Sequence, residues 1–425
     1  MKKRFVVLVI MMPLFAFSQV KTVDEYLTRR QKVLSMMDTT MALVMKSINN
    51  PPLVNEYVQD HNFLYLTGIN EPMNILLISP KGFKLGDKIK NTIVFNSSPK
   101  TLNYLILGKN DTIIKYSQFK DIFRKLLPSI KKLYYSVPDL IVVNDWINDN
   151  AYFTESKMKR DLKEKFPNLS LESAEFFVGK LRSIKSTLEI ENIRKASNIT
   201  ADGLINAMKI AKPGMFEYEL QATLEYEFTN QGALQKGFPS IIGSGPNSLI
   251  LHYSDNNRQT KDGELVVMDV GAKVNGYSSD ITRTIPISGK FSEAQKEIYT
   301  IILNVQKEAI SMVKSGVNIN DIEKYARDAF KKVGYQKYFI HGLSHPVGLD
   351  VHDISVDEVL KPGMVITIEP GLYFPLDDKN IPEKYRGIGI RIEDTILVTN
   401  DGYEILTSRV PKEISEVEKS MKKKN

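Results

Sequence analysis

From about residue 180 onward, apolar positions alternate between helical and extended periods. Leu188, Ile190, Ile193, Ala196, Ile199 and Leu204 recur at near-helical spacing. Ser186-Thr187-Leu188-Glu189 is a capping box at their head, and Lys212-Pro213-Gly214 stops the run. A second helix is predicted over 217–230, ahead of Gly232. Ser292-Glu293-Ala294-Gln295 opens a third, to about Lys314, and Asn320-Asp321-Ile322-Glu323 opens a fourth, closed by Gly334. Continuous apolar runs at 265–274, 277–287, 364–369 and 388–398 predict strands. Helix pairs alternating with hairpins predict an α+β domain of two similar halves. Upstream, strands at 75–78, 92–95 and 133–137 and helices at 119–127 and 157–165 predict a smaller α/β domain. The Pro167-Asn168 turn puts the border between them at 170–180, so the expected domains are 19–175 and 176–425.

Residues 1–18 follow a different pattern. Lys2, Lys3 and Arg4 precede an apolar run from Phe5 to Phe17, which ends in Ala16-Phe17-Ser18. This is the pattern of a cleaved export signal, and the run, interrupted by Pro13, is short for a membrane anchor. The expectation is an exported protein, periplasmic or secreted, with no stable membrane anchor once residues 1–18 are removed. The chain of 425 residues is 42% hydrophobic and 25% charged, which excludes wholesale disorder and fibrous repeats. The formal charge of +7 is scattered, so nucleic acid is not an expected partner. Cysteine is absent, which removes disulfides, thiolate zinc sites, iron–sulfur clusters and cysteine nucleophiles together. A metal here must be held by His, Asp or Glu.

The run 265–286 carries the most chemistry. Asn275-Gly276 between two apolar segments predicts a type I′ hairpin. Val274 then pairs with Tyr277, Asp269 lies opposite Thr282, and Gly271 opposite Asp280. Asp269 and Asp280 become diagonal neighbours on one face. Two anions on one side of a buried hairpin need a cation. The plainer alternative, two exposed acids, suits Asp280 better than Asp269, which is surrounded by apolar residues.

Glu369 ends the apolar run 364–369, and Glu393 shares a strand face with Arg391. For that last pair, an ordinary ion pair on a half-exposed strand stays open. Of five histidines, His341, His345 and His352 fall within twelve residues and His252 lies just upstream of the hairpin, whereas His61 stands apart as a core histidine. Asp269, Asp280, Glu369 and Glu393 together carry four negative charges. Two divalent ions balance them, and a bridging hydroxide leaves one surplus charge beside Arg391. Four carboxylates and one imidazole favour Mn²⁺, with Co²⁺ or Zn²⁺ as alternatives. The helical zinc-protease motif His-Glu-x-x-His is absent.

With these residues assembled, the chain resembles the pita-bread metallopeptidases, a family that includes methionine aminopeptidase, prolidase, aminopeptidase P and creatinase. The likeness is strongest to the aminopeptidase P branch. It is carried by Gly243-Ser-Gly-Pro-Asn, Leu251-His-Tyr, Asp269-Val-Gly, Ser279-Asp-Ile-Thr-Arg-Thr, His341-Gly-Leu-Ser-His, Gly348-Leu-Asp-Val-His-Asp, Glu369-Pro-Gly-Leu-Tyr and Arg386-Gly-Ile-Gly-Ile-Arg-Ile-Glu-Asp. Asn62-Phe-Leu-Tyr-Leu-Thr-Gly looks like that branch's accessory-domain motif. The resemblance implies a pita-bread catalytic domain behind a smaller α/β domain. It implies Asp269, Asp280, His345, Glu369 and Glu393 as ligands of a dinuclear centre. It further implies catalytic roles for His252, His341, His352, Glu369 and Arg391, and a substrate pocket using His252, His341, Tyr373 and Arg391. The implied reaction is attack by a metal-bridging hydroxide on the first peptide bond of peptides with proline second. Prolidase action on Xaa-Pro dipeptides, creatinase-like C–N hydrolysis and a metal-free binding module are the competing readings, and a homo-oligomer is allowed. Ser279, where relatives often carry Gly, and Pro346, where many carry an aromatic residue, depart from the pattern; Pro346 is expected to alter the pocket wall.

Overall fold

The structure is a computed structural model. It describes residues 14–47, 59–99, 107–136, 140–145, 150–155 and 157–422. Most of the expected export signal lies outside these residues; the helix Leu14–Ser35 begins in its last five positions. Among the described residues no helix is long and apolar enough to cross a membrane. The chain divides into two compact units, Met1–Val178 and Gly179–Asn425.

In the first unit, strands Asp111–Lys115, Lys88–Asn96, Asn74–Leu85, Met41–Lys46, Lys132–Ser136 and Ser170–Ser173 lie in that order in one sheet. Met41–Lys46 runs antiparallel to Asn74–Leu85 and parallel to Lys132–Ser136, so the sheet is mixed. The predicted helices appear at Phe119–Leu126 and Lys157–Lys165. Phe83, Phe95, Phe123, Leu126 and Leu133 bury against one another beneath them. The segment after Asp60 forms the short helix His61–Thr67. Asp60 caps it by accepting from the Phe63 N–H, and Gly68 ends it at φ 70, a left-handed position that glycine takes without strain.

The second unit follows the predicted order. Helices Thr187–Ile210 and Glu217–Asn230 precede one hairpin, and Glu293–Ser311 and Ile319–Lys332 precede the other. Both capping boxes form reciprocally, Ser186 with Glu189 and Ser292 with Gln295. Two helix ends differ from expectation. The third helix stops at Ser311, because the chain turns to bury Val313. The fourth starts at Ile319, because Asn318 supplies the cap by accepting from the Asn320 N–H.

The hairpin register is as predicted. Val274 pairs with Tyr277 and Asp269 with Thr282, and Asn275 and Gly276 turn the chain at φ 49 and 87. The ladder is interrupted in the middle, between strands Leu265–Val270 and Ala272–Val274 on one side and Tyr277–Ser278 and Ile281–Pro286 on the other. Gly271 and Asp280 therefore face each other without ladder bonds. The Gly271 carbonyl accepts from the Gly237 N–H instead.

The predicted strand 388–398 is two strands in different sheets, which is a correction. Gly389–Arg391 pairs with Gly371–Tyr373, and Asp394–Val398 pairs with Val365–Ile368. The register is the same on both sides of the gap. Pro370 has no N–H to donate across it, and the N–H groups of Glu369 and Glu393 turn away to Leu343 O at 2.9 Å and Thr282 O at 3.1 Å. The last of these bonds joins the two hairpins at their gaps, where Asp280, Glu369 and Glu393 lie. Antiparallel strands supply rigidity, and the missing rungs free backbone to aim acids inward.

Gly271 shows how tight this junction is. A Cβ there would lie 1.9 Å from the Ser279 carbonyl oxygen, a backbone atom next to Asp280. Gly271→Ala is expected to lower unfolding free energy by about 1–3 kcal/mol, the scale of overpacking. Urea denaturation of the variant measures this.

Candidate active site

All five expected metal-binding residues line one cavity of about 600 Å³. Their donor atoms converge. His345 Nε2 lies 3.5 Å from Asp280 Oδ2 and 3.4 Å from Glu369 Oε1. One donor atom each from Asp280, His345 and Glu393 falls within 4.8 Å of the others. Arg391 ties in Asp269: its Nη2 donates to Asp269 Oδ2 at 2.7 Å and its Nε to Thr282 Oγ1 at 3.1 Å. Thr282 Oγ1 in turn donates to Glu393 Oε2 at 2.7 Å. The open alternatives for these acids fall away, because Asp269, Asp280, Arg391 and Glu393 are all buried.

Backbone carbonyls set the two central tautomers. His345 Nδ1 lies 3.1 Å from the Pro346 carbonyl, which can only accept, so Nδ1 carries the hydrogen and Nε2 presents a lone pair. That lone pair faces two carboxylate oxygens. Likewise His341 Nδ1 donates to Gly342 O at 2.8 Å, leaving Nε2 to accept from the Tyr373 hydroxyl at 3.0 Å. Arg391 Nη1 donates to that hydroxyl at 2.7 Å. A directed chain therefore runs from Arg391 through Tyr373 to His341.

The electrostatics express crowding of like charge. Burial, then Glu393, Asp269 and Glu369, hold the Asp280 carboxyl well above the usual range. Burial, then Glu393, do the same to Glu369. Glu393 is pushed up to about 8 by burial and then by Asp269. The imidazoles go the other way: burial, then Arg391, push His341 down to about 3, and burial, then His352, push His345 down to about 4. Asp269 Oδ1 and Asp280 Oδ1 are buried with no hydrogen-bond partner. Buried acceptors without donors are costly unless something electropositive sits between them.

The histidine loops are anchored by ions. Arg327 Nη2 donates to His341 O at 2.9 Å, and Glu323 accepts from the Leu343 N–H at 2.6 Å. Beside His352, the buried Asp353 carboxylate receives Lys185 Nζ at 3.0 Å and the Arg182 guanidinium. The His352 ring lies 4.0 Å, centroid to centroid, from that of His345.

Of the expected pocket residues, His252, His341 and Arg391 line the cavity, as does His352. Tyr373 does not, which corrects its expected place: it is buried behind the lining, its hydroxyl held between Arg391 and His341. Pro346 is also off this wall; it bridges to Ile366 and lines a separate cavity of about 90 Å³. His61 stays apart, at the start of its short helix. Sequence reasoning missed the apolar wall of Phe238, Pro239, Ile241, Leu251 and Val351. It also missed Thr367, whose Oγ1 accepts from the His345 N–H at 3.0 Å and lies 3.4 Å from Glu369 Oε1. Thr282 was visible as the residue opposite Asp269 and within the Ser279–Thr284 motif, with no role attached to it.

Residues 191–400 match the model of metallopeptidase family M24. The chain is 33% identical to the Xaa-Pro aminopeptidase of Haemophilus influenzae, over 94% of this chain and 97% of that one. It is 32% identical to the mitochondrial intermediate cleaving peptidase 55 of Arabidopsis thaliana, over 93% of this chain and 82% of that one. Among solved structures, zinc-substituted Escherichia coli aminopeptidase P in complex with product matches with a TM-score of 0.79 at 31% identity, covering 94% of this chain and 98% of that one. Pseudomonas aeruginosa aminopeptidase PepP matches with a TM-score of 0.78 at 30% identity, covering 94% and 97%. These likenesses span both units, and the fold is the α+β pita-bread fold with an N-terminal domain. The chain belongs to metallopeptidase family M24.

Proposed function

We propose that this chain is an exported aminopeptidase that removes the first residue from peptides with proline second, using two divalent ions held by Asp269, Asp280, His345, Glu369 and Glu393. One observation carries the metal reading: the His345 Nε2 lone pair faces two carboxylate oxygens at 3.5 and 3.4 Å. Three acceptors meeting in a buried space repel unless a cation joins them. The partnerless oxygens of Asp269 and Asp280 fit the same ions. The donor set, four carboxylates to one imidazole, is hard and suits Mn²⁺, with Co²⁺ and Zn²⁺ acceptable. Bound there, such ions supply Lewis acidity to the scissile carbonyl and to a water.

The protein's own groups do the rest. Glu369 takes a proton from the attacking water and returns it to the proline nitrogen as the bond breaks. Its position between His345 and His341, whose Nδ1 is 3.8 Å from Glu369 Oε2, supports that shuttle. His352, at the cavity wall, donates to the carbonyl oxygen as negative charge develops. Arg391 orients Asp269 beside the substrate's free amine. Proline has no N–H, so a binding wall must receive its ring by shape. His252 and His341, with Phe238 and Leu251, form such a wall. Substrate enters with a trans bond, and slow X–Pro isomerisation gates peptides that are cis.

Peptides longer than Xaa-Pro are favoured by the charge of the lining. Among the described residues its one permanently charged cation is Arg391, already bound to Asp269, Tyr373 and Thr282. Away from the metal ligands, a dipeptide would place its terminal carboxylate against this lining without a free cationic side chain to meet it. The binding-module reading loses ground because every donor is present and aimed inward.

Chelation is expected to abolish hydrolysis of Xaa-Pro-Yaa, and Mn²⁺ to restore it, with Xaa-Pro turned over more slowly than Xaa-Pro-Yaa. Elemental analysis with both substrates, before and after chelation, measures this. Equal activity in stripped and restored samples overturns the metal reading, and faster dipeptide cleavage overturns the preference for longer peptides.

A further inference from the structure

The imidazole of His252 has no hydrogen bond among the described residues, although it lines the cavity. Its position must come from its neighbours. The stretch from Ser244 to Arg258, which carries it, converges on a single carboxylate, Glu217, in the first turn of the helix Glu217–Asn230.

Glu217 is fully buried. Its Oε1 accepts from the Ser244 N–H and the Ser244 hydroxyl, both at 2.7 Å, and from Asn247 Nδ2 at 3.1 Å. Its Oε2 accepts from the Tyr253 hydroxyl and from the Arg258 N–H, both at 2.9 Å. Five donors on two oxygens leave little freedom. A carboxylate is the one side chain that offers only acceptors to them all. Tyr253, itself buried, is the residue after His252, so its bond to Glu217 sets where the imidazole stands. The other side of the stretch is fixed by the second hairpin. A Cβ on Gly389 would lie 2.2 Å from Ser248 O, so the loop rests directly on that strand.

We infer that Glu217, acting through Tyr253, is the positioning residue for His252 and thereby a determinant of proline preference at the second position. This rests on the reading of the site given above. Glu217 touches no substrate atom in that reading. It acts by keeping one wall of the ring pocket at its proper distance from His341 and Arg391.

The test uses full-length, metal-loaded protein and two dipeptides that represent the leaving group, Pro-Leu and Ala-Leu. Glu217→Gln replaces one acceptor oxygen by a donor facing other donors. Tyr253→Phe deletes the bond beside His252, together with the hydroxyl's longer contacts to Asn257 at 3.4 and 3.5 Å, and leaves four donors on the carboxylate, so it decides the matter should the first variant fail to fold. By titration calorimetry, Pro-Leu is expected to bind about tenfold more weakly to Glu217→Gln, the scale of one lost charge-assisted hydrogen bond. Tyr253→Phe should shift it in the same direction by less, with Ala-Leu affinity and metal content unchanged in both. A fall in thermal stability with an unchanged Pro-Leu to Ala-Leu ratio would mean a purely structural anchor and overturn the inference. Wild-type protein that binds both dipeptides alike and leaves Xaa-Pro-Yaa intact would overturn the activity reading instead, and the inference with it.

Discussion

Asp280→Asn is expected to eliminate peptidase turnover while making the metal-free protein more stable. The two effects have one cause. Asp280 is buried among Asp269, Glu369 and Glu393, and its carboxyl is held well above the usual range by burial and by those neighbours. With divalent ions bound, its charge is what the site requires. Losing one donor should reduce turnover of Xaa-Pro-Yaa by about a thousandfold, or ~4 kcal/mol of transition-state stabilisation. Without ions, the same charge opposes folding. The pH dependence follows in sign. Glu393, at about 8 in the fold against 4.5 ordinarily, contributes stability that is fully present below pH 4.5 and lost as pH rises through about 8. Asp280 shifts in the same direction, so the chelated wild type should be less stable at pH 8 than at pH 5. The asparagine variant removes one charge from the cluster, so its curve should fall less, leaving it about one kcal/mol or more ahead at pH 8. Denaturant titrations of both chelated proteins at the two pH values measure this. Turnover near wild type, or no gain at pH 8, would remove Asp280 from the centre.

The parts of this site that were legible in the sequence are those with local grammar. Asn275-Gly276 specifies a turn, and the turn fixes the register that brings Asp269 opposite Thr282. Capping boxes at Ser186 and Ser292 specify helix starts because both partners lie within four residues. Acids inside apolar runs stand out because burial makes them expensive. What stayed hidden depends on long-range contact. The break at Ile392-Glu393 reads as continuous strand in the sequence, and its cause is partly across the hairpin at Pro370 and partly in the other hairpin at Thr282. Tyr373 was expected in the pocket because the family resemblance implied it; only the fold shows that its hydroxyl faces Arg391 from behind. Glu217 gave no signal, since an acid in the first turn of a helix is ordinary there. Its five donors begin 27 residues downstream and extend to Arg258. The α+β class and the pairing of Asp269 with Asp280 on one face were thus readable from spacing, and the wider donor set was implied by the family resemblance, whereas the groups that hold these side chains in place were not readable.

The strongest hidden support is an ion pair that both hairpins share, and breaking it should be the most damaging change to the fold itself. Arg283 and Asp394 are both fully buried, and Arg283 Nη2 donates to Asp394 Oδ1 at 2.8 Å. Arg283 also donates to the carbonyls of Thr282, Glu393, Val410 and Pro411. Asp394 accepts in addition from Gln306, Thr407 and Lys412 at 2.7–2.8 Å. Burial raises the Asp394 carboxyl, but Arg283 and Lys412 outweigh it and hold it well below the ordinary range. Arg283→Met leaves that carboxylate with Lys412 as its one cation, beside Gln306 and Thr407, and strands four backbone carbonyls. The expected loss is about 3–5 kcal/mol of unfolding free energy, the scale of removing one partner from a buried ion pair. Adding Asp394→Asn should then cost less than it does in the wild type, because the charge it removes no longer has its main partner. The damage must also reach the chemistry, since Arg283 holds the backbone of Thr282 and Glu393, one the hydroxyl that orients Glu393 and the other a proposed ligand. A double-mutant cycle in urea, run with metal analysis on each protein, tests both statements. Additive destabilisation, or full metal content in Arg283→Met, would show that this pair is independent of the site in front of it.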